Sequence, residues 1–152
     1  MTRVALIARA GLWLGLGLIL GGYLFAGVQP RSLLALTHCG SSCYRPNDLA
    51  GLMASVGIQR APGLLPGIVK ETERCISITH PFPEARIHFV VIPKRDIKDI
   101  ASIGADDGPF VLECLAHVQA LVADHQLRAY RVFTNGPGRQ AVTYLHFHLV
   151  AR

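Results

Sequence analysis

The chain has 152 residues, 51% of them hydrophobic, and a formal net charge of +5. That length allows one compact core plus an appendage. Basic residues are scattered apart from Lys94, Arg95 and Lys98, with no aromatic residues interleaved. A nucleic-acid platform is therefore not expected, and the charge favours anionic small molecules or an anionic membrane surface.

The apolar excess lies at the N-terminus. Gly11 to Val28 carries no charge, and as a helix its 18 residues would span about 27 Å, near the thickness of a bilayer's hydrocarbon core. Trp13 and Tyr23 stand near its two ends, as interfacial aromatics do. Arg3 and Arg9 precede the segment and argue for the N-terminus inside and the domain on the extracytoplasmic side, although Arg31 and Arg45 follow closely. A cleaved signal peptide is the alternative. Its small residues at −3 and −1 would have to be Leu24 and Ala26, or Phe25 and Gly27, which fit poorly. Residues 1–28 are therefore read as a single-pass membrane anchor.

Residues 29–67 read as a connector with a short helix. Asn47 and Asp48 offer an N-cap, and Leu49, Leu52, Met53 and Val56 recur at helical spacing until Gly57. Pro62, Gly63, Pro66 and Gly67 then mark a loop and a domain boundary. Cys39, Cys43, Cys75 and Cys114 suit an oxidising compartment. A disulfide is expected within Cys39–Cys43 or from either to Cys75, in preference to a metal site, with Cys114 a buried helix cysteine.

From residue 68 to 152 a folded domain is expected. Ile68 to Lys70 and Cys75 to Thr79 read as strands, His80-Pro81-Phe82-Pro83 as a turn, and Ile87 to Ile92 as a strand buried on both faces. Asp106-Asp107-Gly108-Pro109 opens a helix whose stripe of Phe110, Val111, Cys114, Leu115, Val118, Leu121 and Val122 should pack on the sheet. His117 and His125 ride this helix as ordinary solvated or partly buried histidines. Arg128 to Thr134 reads as a strand, Asn135 to Arg139 as a tight loop, and Gln140 to Val150 as the closing strand. The predicted class is α+β, a mostly antiparallel sheet packed with one main helix and preceded by a single transmembrane helix.

The closing strand carries the chemistry. Its alternation puts Leu145, Phe147 and Leu149 on a core face and Val142, Tyr144, His146 and His148 on the other, successive members roughly 7 Å apart. Two neighbouring imidazoles can divide nucleophilic attack and proton donation, because neutral imidazole is available near neutral pH.

Two segments together resemble the histidine triad (HIT) superfamily. His88-Phe89-Val90-Val91-Ile92-Pro93-Lys94-Arg95-Asp96-Ile97 is similar to the family's H-F-L-V-I-P-K-x-H-I strand-and-turn motif, and Asn135 through Val150 to its N-x-G-x-x-x-Q-S-V-x-H-φ-H-φ-H-φ-φ pattern, where φ is apolar. The resemblance implies cleavage at the α-phosphorus of a nucleotide-containing substrate, a lipid-linked one included, through a nucleotidyl-histidine. It implies His146 as nucleophile and His148 as the histidine touching phosphate and leaving group. Asn135, Gln140, His88 and Tyr144 follow as substrate-binding positions; no metal or other cofactor is implied. Relatives are often dimers, so a homodimer is expected. Tyr144 departs from the first triad histidine, Ala141 from a serine and Asp96 from a histidine of the first motif. The alternative reading is a non-catalytic nucleotide-binding module, or an accessory module of a membrane assembly.

Overall fold

The computed structural model describes residues 3–25 and 46–152. Helix α1 (Arg3–Phe25) is followed by α2 (Pro46–Arg60). Strands β1 (Ile68–Glu71), β2 (Cys75–Thr79) and β3 (Ile87–Pro93) come next, then α3 (Gly108–Asp124), β4 (Tyr130–Phe133) and β5 (Phe147–Ala151). The five strands form one sheet in the order β1-β2-β3-β5-β4, and each neighbouring pair is antiparallel. The last strand in sequence thus sits inside the sheet, between β3 and β4.

Side chains alternate across the sheet, so each face has its own core. On one face α3 lays Cys114, Val118 and Leu121 against Cys75, Phe89, Val91, Leu145, Phe147 and Leu149. The expected core face of the closing strand lies here. On the other face Ile58 from α2 packs with Ile76, Val90, Ile92 and Tyr144. Gly57 does not end α2, which runs to Arg60 ahead of Pro62; a glycine weakens a helix by about 1 kcal/mol, less than the packing of Ile58 can offset.

The closing strand differs most from expectation. It begins at Phe147, seven residues later than Gln140. Backbone hydrogen bonding explains the difference: the Leu145 amide donates to the Ile97 carbonyl and the Tyr144 amide to Val142, so neither joins a ladder. The cysteines also differ. Cys75 bonds to Cys114, tying β2 to α3, and not to Cys39 or Cys43, which lie outside the described residues. Cys114 is accordingly half of a disulfide, one helical turn before His117 on the face that meets β2. His117 is buried there, its Nδ1 at 2.8 Å from the Ser77 hydroxyl and its Nε2 at 3.0 Å from Thr72.

In α1, Ala5–Tyr23 is a 19-residue stretch of mean hydropathy 1.7, none of it buried among the described residues. It is long and apolar enough to cross a membrane, a test that a signal sequence also passes.

Candidate active site

The half of the second sheet face that α2 and Tyr144 leave uncovered carries four imidazoles. Strand register brings His148 of β5 opposite Val90 of β3 on one side and Phe133 of β4 on the other, and His88 opposite Val150. The β2–β3 turn returns His80 beside His88, its amide donating to the His88 carbonyl at 2.8 Å. His80 stacks on His88 with ring centroids 4.0 Å apart. His146 meets His148 edge-on at 4.8 Å, and Phe133 stacks on the far side of the His148 ring at 4.8 Å.

Backbone groups fix where the ring protons are. A carbonyl can only accept, so His146 Nδ1, 2.7 Å from the Tyr144 carbonyl, carries the hydrogen and its Nε2 keeps a bare lone pair. A backbone amide can only donate, so His88 Nδ1, 3.2 Å from the Glu84 nitrogen, is the acceptor and its hydrogen is on Nε2. That Nε2 lies 2.9 Å from His148 Nδ1, which therefore accepts. The remaining His148 hydrogen is on Nε2, a buried atom that makes no hydrogen bond among the described residues. Adjacent imidazoles are thus held in opposite tautomers, one presenting a lone pair and the other an N–H.

The electrostatics favour the neutral form of His146, His148 and His88. Burial lowers the His146 pKa, opposed in part by the hydrogen bond to the Tyr144 carbonyl and helped by the charge of His80. Burial, with the charges of His146, His88 and His80, pushes His148 down to about 4. His88 is lowered by burial and by His80, with Glu84 acting in the opposite direction.

One ring nitrogen each of His80, His88 and His148 lie within 4.8 Å of one another, a spacing that a cation could use. The donor set does not fit one. A metal-bound neutral imidazole carries a hydrogen on its other nitrogen. Yet His88 Nδ1 faces the Glu84 amide, and His80 Nδ1 accepts from the Phe82 amide at 3.0 Å.

Of the residues predicted from sequence, His88, His146 and His148 come together. Tyr144 is fully buried, and its hydroxyl donates to the Pro93 carbonyl at 2.7 Å, away from the imidazole row. Gln140 is buried with its Nε2 donating to the Lys98 carbonyl at 3.1 Å. Asn135 lies half-buried two residues past β4. His80 and Phe133 were not singled out. The hairpin register contains a signal for His80: continuing the Thr79–Phe89 pair by one residue sets it opposite His88.

Residues 66–152 match the family model described as "Scavenger mRNA decapping enzyme C-term binding". Over 85 residues the chain is 38% identical to a HIT-like protein of Chlamydia pneumoniae, covering 54% of this chain and 77% of that one. This chain belongs to the histidine triad superfamily. Among solved structures, a HIT family hydrolase from Legionella pneumophila superposes with a TM-score of 0.57 at 27% identity, covering 62% of this chain and 88% of the other. A HIT family hydrolase from Clostridium thermocellum gives 0.57 at 26% identity, covering 64% and 89%. The five-stranded antiparallel sheet with its main helix is the HIT fold, and the imidazole row lies on the HIT domain's second sheet face.

Proposed function

We propose that this HIT protein is a membrane-anchored hydrolase or transferase that cleaves at the α-phosphorus of a nucleotide-containing substrate, with His146 as nucleophile. The observation that carries the reading is the tautomer of His146. The Tyr144 carbonyl holds its Nδ1–H and leaves Nε2 bare, and burial favours the neutral ring that can attack. Beside it His148 supplies an N–H with no hydrogen bond among the described residues, for oxygens on phosphorus. Asn135, two residues past β4, is assigned to phosphate binding, while Gln140 and Tyr144 act by holding the backbone that carries His146. The apolar α1 supports anchoring, and the Cys75–Cys114 bond supports a domain on the oxidising side.

The test is mass spectrometry of protein incubated with nucleotide anhydrides, amidates and lipid-linked nucleotides. A nucleotidyl adduct on His146, absent in His146→Ala, is expected; no adduct and no turnover with any of them would sink the reading. The non-catalytic alternative draws on Tyr144, whose hydroxyl is turned into the core. It requires nucleotide binding without turnover in the wild type, and activity gained on Tyr144→His with Ala141→Ser.

A further inference from the structure

The tautomer chain also restricts the leaving group. We propose that this site is built for phosphoanhydrides, whose leaving oxygen departs as a phosphate anion, and against phosphoramidates and alkyl esters, whose leaving atom must be protonated as it goes. This inference rests on the nucleotidyl-histidine reading and deepens it.

The Glu84 amide cannot change its protonation. Its hydrogen occupies His88 Nδ1 at 3.2 Å, so His88 offers its own hydrogen to His148 Nδ1 at 2.9 Å. A second proton on His148 would have to enter at Nδ1, head-on against the His88 N–H. Moving the His88 proton to Nδ1 only transfers the clash to the Glu84 amide. His148 is therefore a hydrogen-bond donor with no spare proton to give. Giving up its one ring hydrogen would leave an imidazolate, and His88 cannot replenish it without becoming one. The groups facing His148 from neighbouring elements do not remedy this: His146, His88 and His80 all act against a positive charge on it, and the ring beside it is Phe133. The charge of Glu84 acts on His88 less than burial does.

In the step itself the His146 Nε2 lone pair forms a bond to phosphorus, and the bond from phosphorus to the bridging oxygen breaks with its electron pair on oxygen. The leaving phosphate departs as an oxyanion, held by the His148 Nε2–H. A neutral imidazole can stabilise such an anion without transferring its proton. The nucleotidyl-imidazolium keeps its Nδ1–H on the Tyr144 carbonyl. Water then attacks phosphorus, the pair of the P–N bond returns to Nε2, and the water's proton passes to solvent. An anhydride completes this cycle, because a phosphate leaving group is a stable anion at neutral pH. An amine or alkoxide leaves as a strong base and stalls it.

The experiment measures single-turnover rates on the full chain for three substrates sharing one nucleoside monophosphate. They are a dinucleoside triphosphate, the matching phosphoramidate, and a series of aryl esters of graded phenol acidity. The expected wild-type result is a rate falling about tenfold per unit of phenol pKa, with the amidate at least about 100-fold slower than the anhydride. A flat aryl series, or equal rates on amidate and anhydride, overturns the proposal while an intact His146 adduct leaves the nucleotidyl reading standing. No adduct and no turnover with any substrate overturns both. His88→Ala frees His148 Nδ1 to take a proton, so the amidate-to-anhydride ratio should rise about tenfold or more. Glu84→Pro removes the Glu84 amide hydrogen, along with the carboxylate whose charge raises the His88 pKa, and should move the ratio the same way. An unchanged ratio in whichever of the two folds overturns the assignment.

Discussion

His117 and His148 are the same residue type, almost equally buried, on opposite faces of one sheet. His117 is 2% exposed and has both ring nitrogens within 3.0 Å of hydroxyls, Ser77 on one side and Thr72 on the other. His148 is 7% exposed and has one nitrogen satisfied by His88 and the other without a hydrogen bond among the described residues. A buried polar atom without a partner costs on the order of 1–3 kcal/mol, so a fold retains it where a ligand completes the bond. The two histidines differ in what their hydrogen bonding leaves unfinished, not in burial.

The largest expected effect lies on the open face. His146→Ala should abolish the adduct and lower turnover by at least about 1,000-fold with little change in Tm, measured by mass spectrometry and rapid quench. A Tm loss matching the activity loss would mean that His146 is structural like His117. On the closed face the largest effect is on stability. Reducing Cys75–Cys114, which closes a separation of 39 residues, should cost about 4 kcal/mol in urea unfolding at neutral pH.

Acid should strain both faces. His117, His88, His146 and His148 have native pKa values below the unfolded value near 6.5. The unfolded chain therefore binds more protons, and the stability conferred by neutral histidines is complete above pH 6.5. It declines as pH falls from there toward the native values, about 4 for His148. Equilibrium unfolding between pH 7.5 and 4.5 checks the sign, and His117→Leu should flatten part of the slope without altering adduct formation. The smallest effect is expected at Tyr144→Phe, which removes one buried hydrogen bond to Pro93. It should cost about 1 kcal/mol and change turnover less than about twofold, because the hydroxyl faces away from His146. A large activity loss would restore Tyr144 to the chemistry.

What the sequence made legible follows from periodicity. The stripe of α3, the apolar run of β3 and the inward Leu145, Phe147 and Leu149 all appear where their spacing puts them. His146 and His148 were readable from a motif. The rest depends on partners far apart in the chain. Alternation alone gives no reason for Leu145 to donate to Ile97, yet that bond takes residues before Phe147 out of the ladder and turns Tyr144 into the core. Alternation is equally silent on which cysteine meets Cys75, because the pairing follows from how α3 crosses β2. His80 reaches the row only through the register of a hairpin.

The late start of β5 divides the row mechanically. His148 lies inside the ladder, with β3 on one side and β4 on the other, while His146 stands one residue before the strand begins. In the proposed mechanism the donor is anchored in a strand paired on both sides, and the attacker sits on a short leader held by the Leu145 amide and the Tyr144 carbonyl. In a displacement the leaving oxygen needs a fixed place to develop its charge, whereas the nucleophile has to close on phosphorus and then retreat. The strand boundary places one imidazole of the proposed pair inside the ladder and the other outside it.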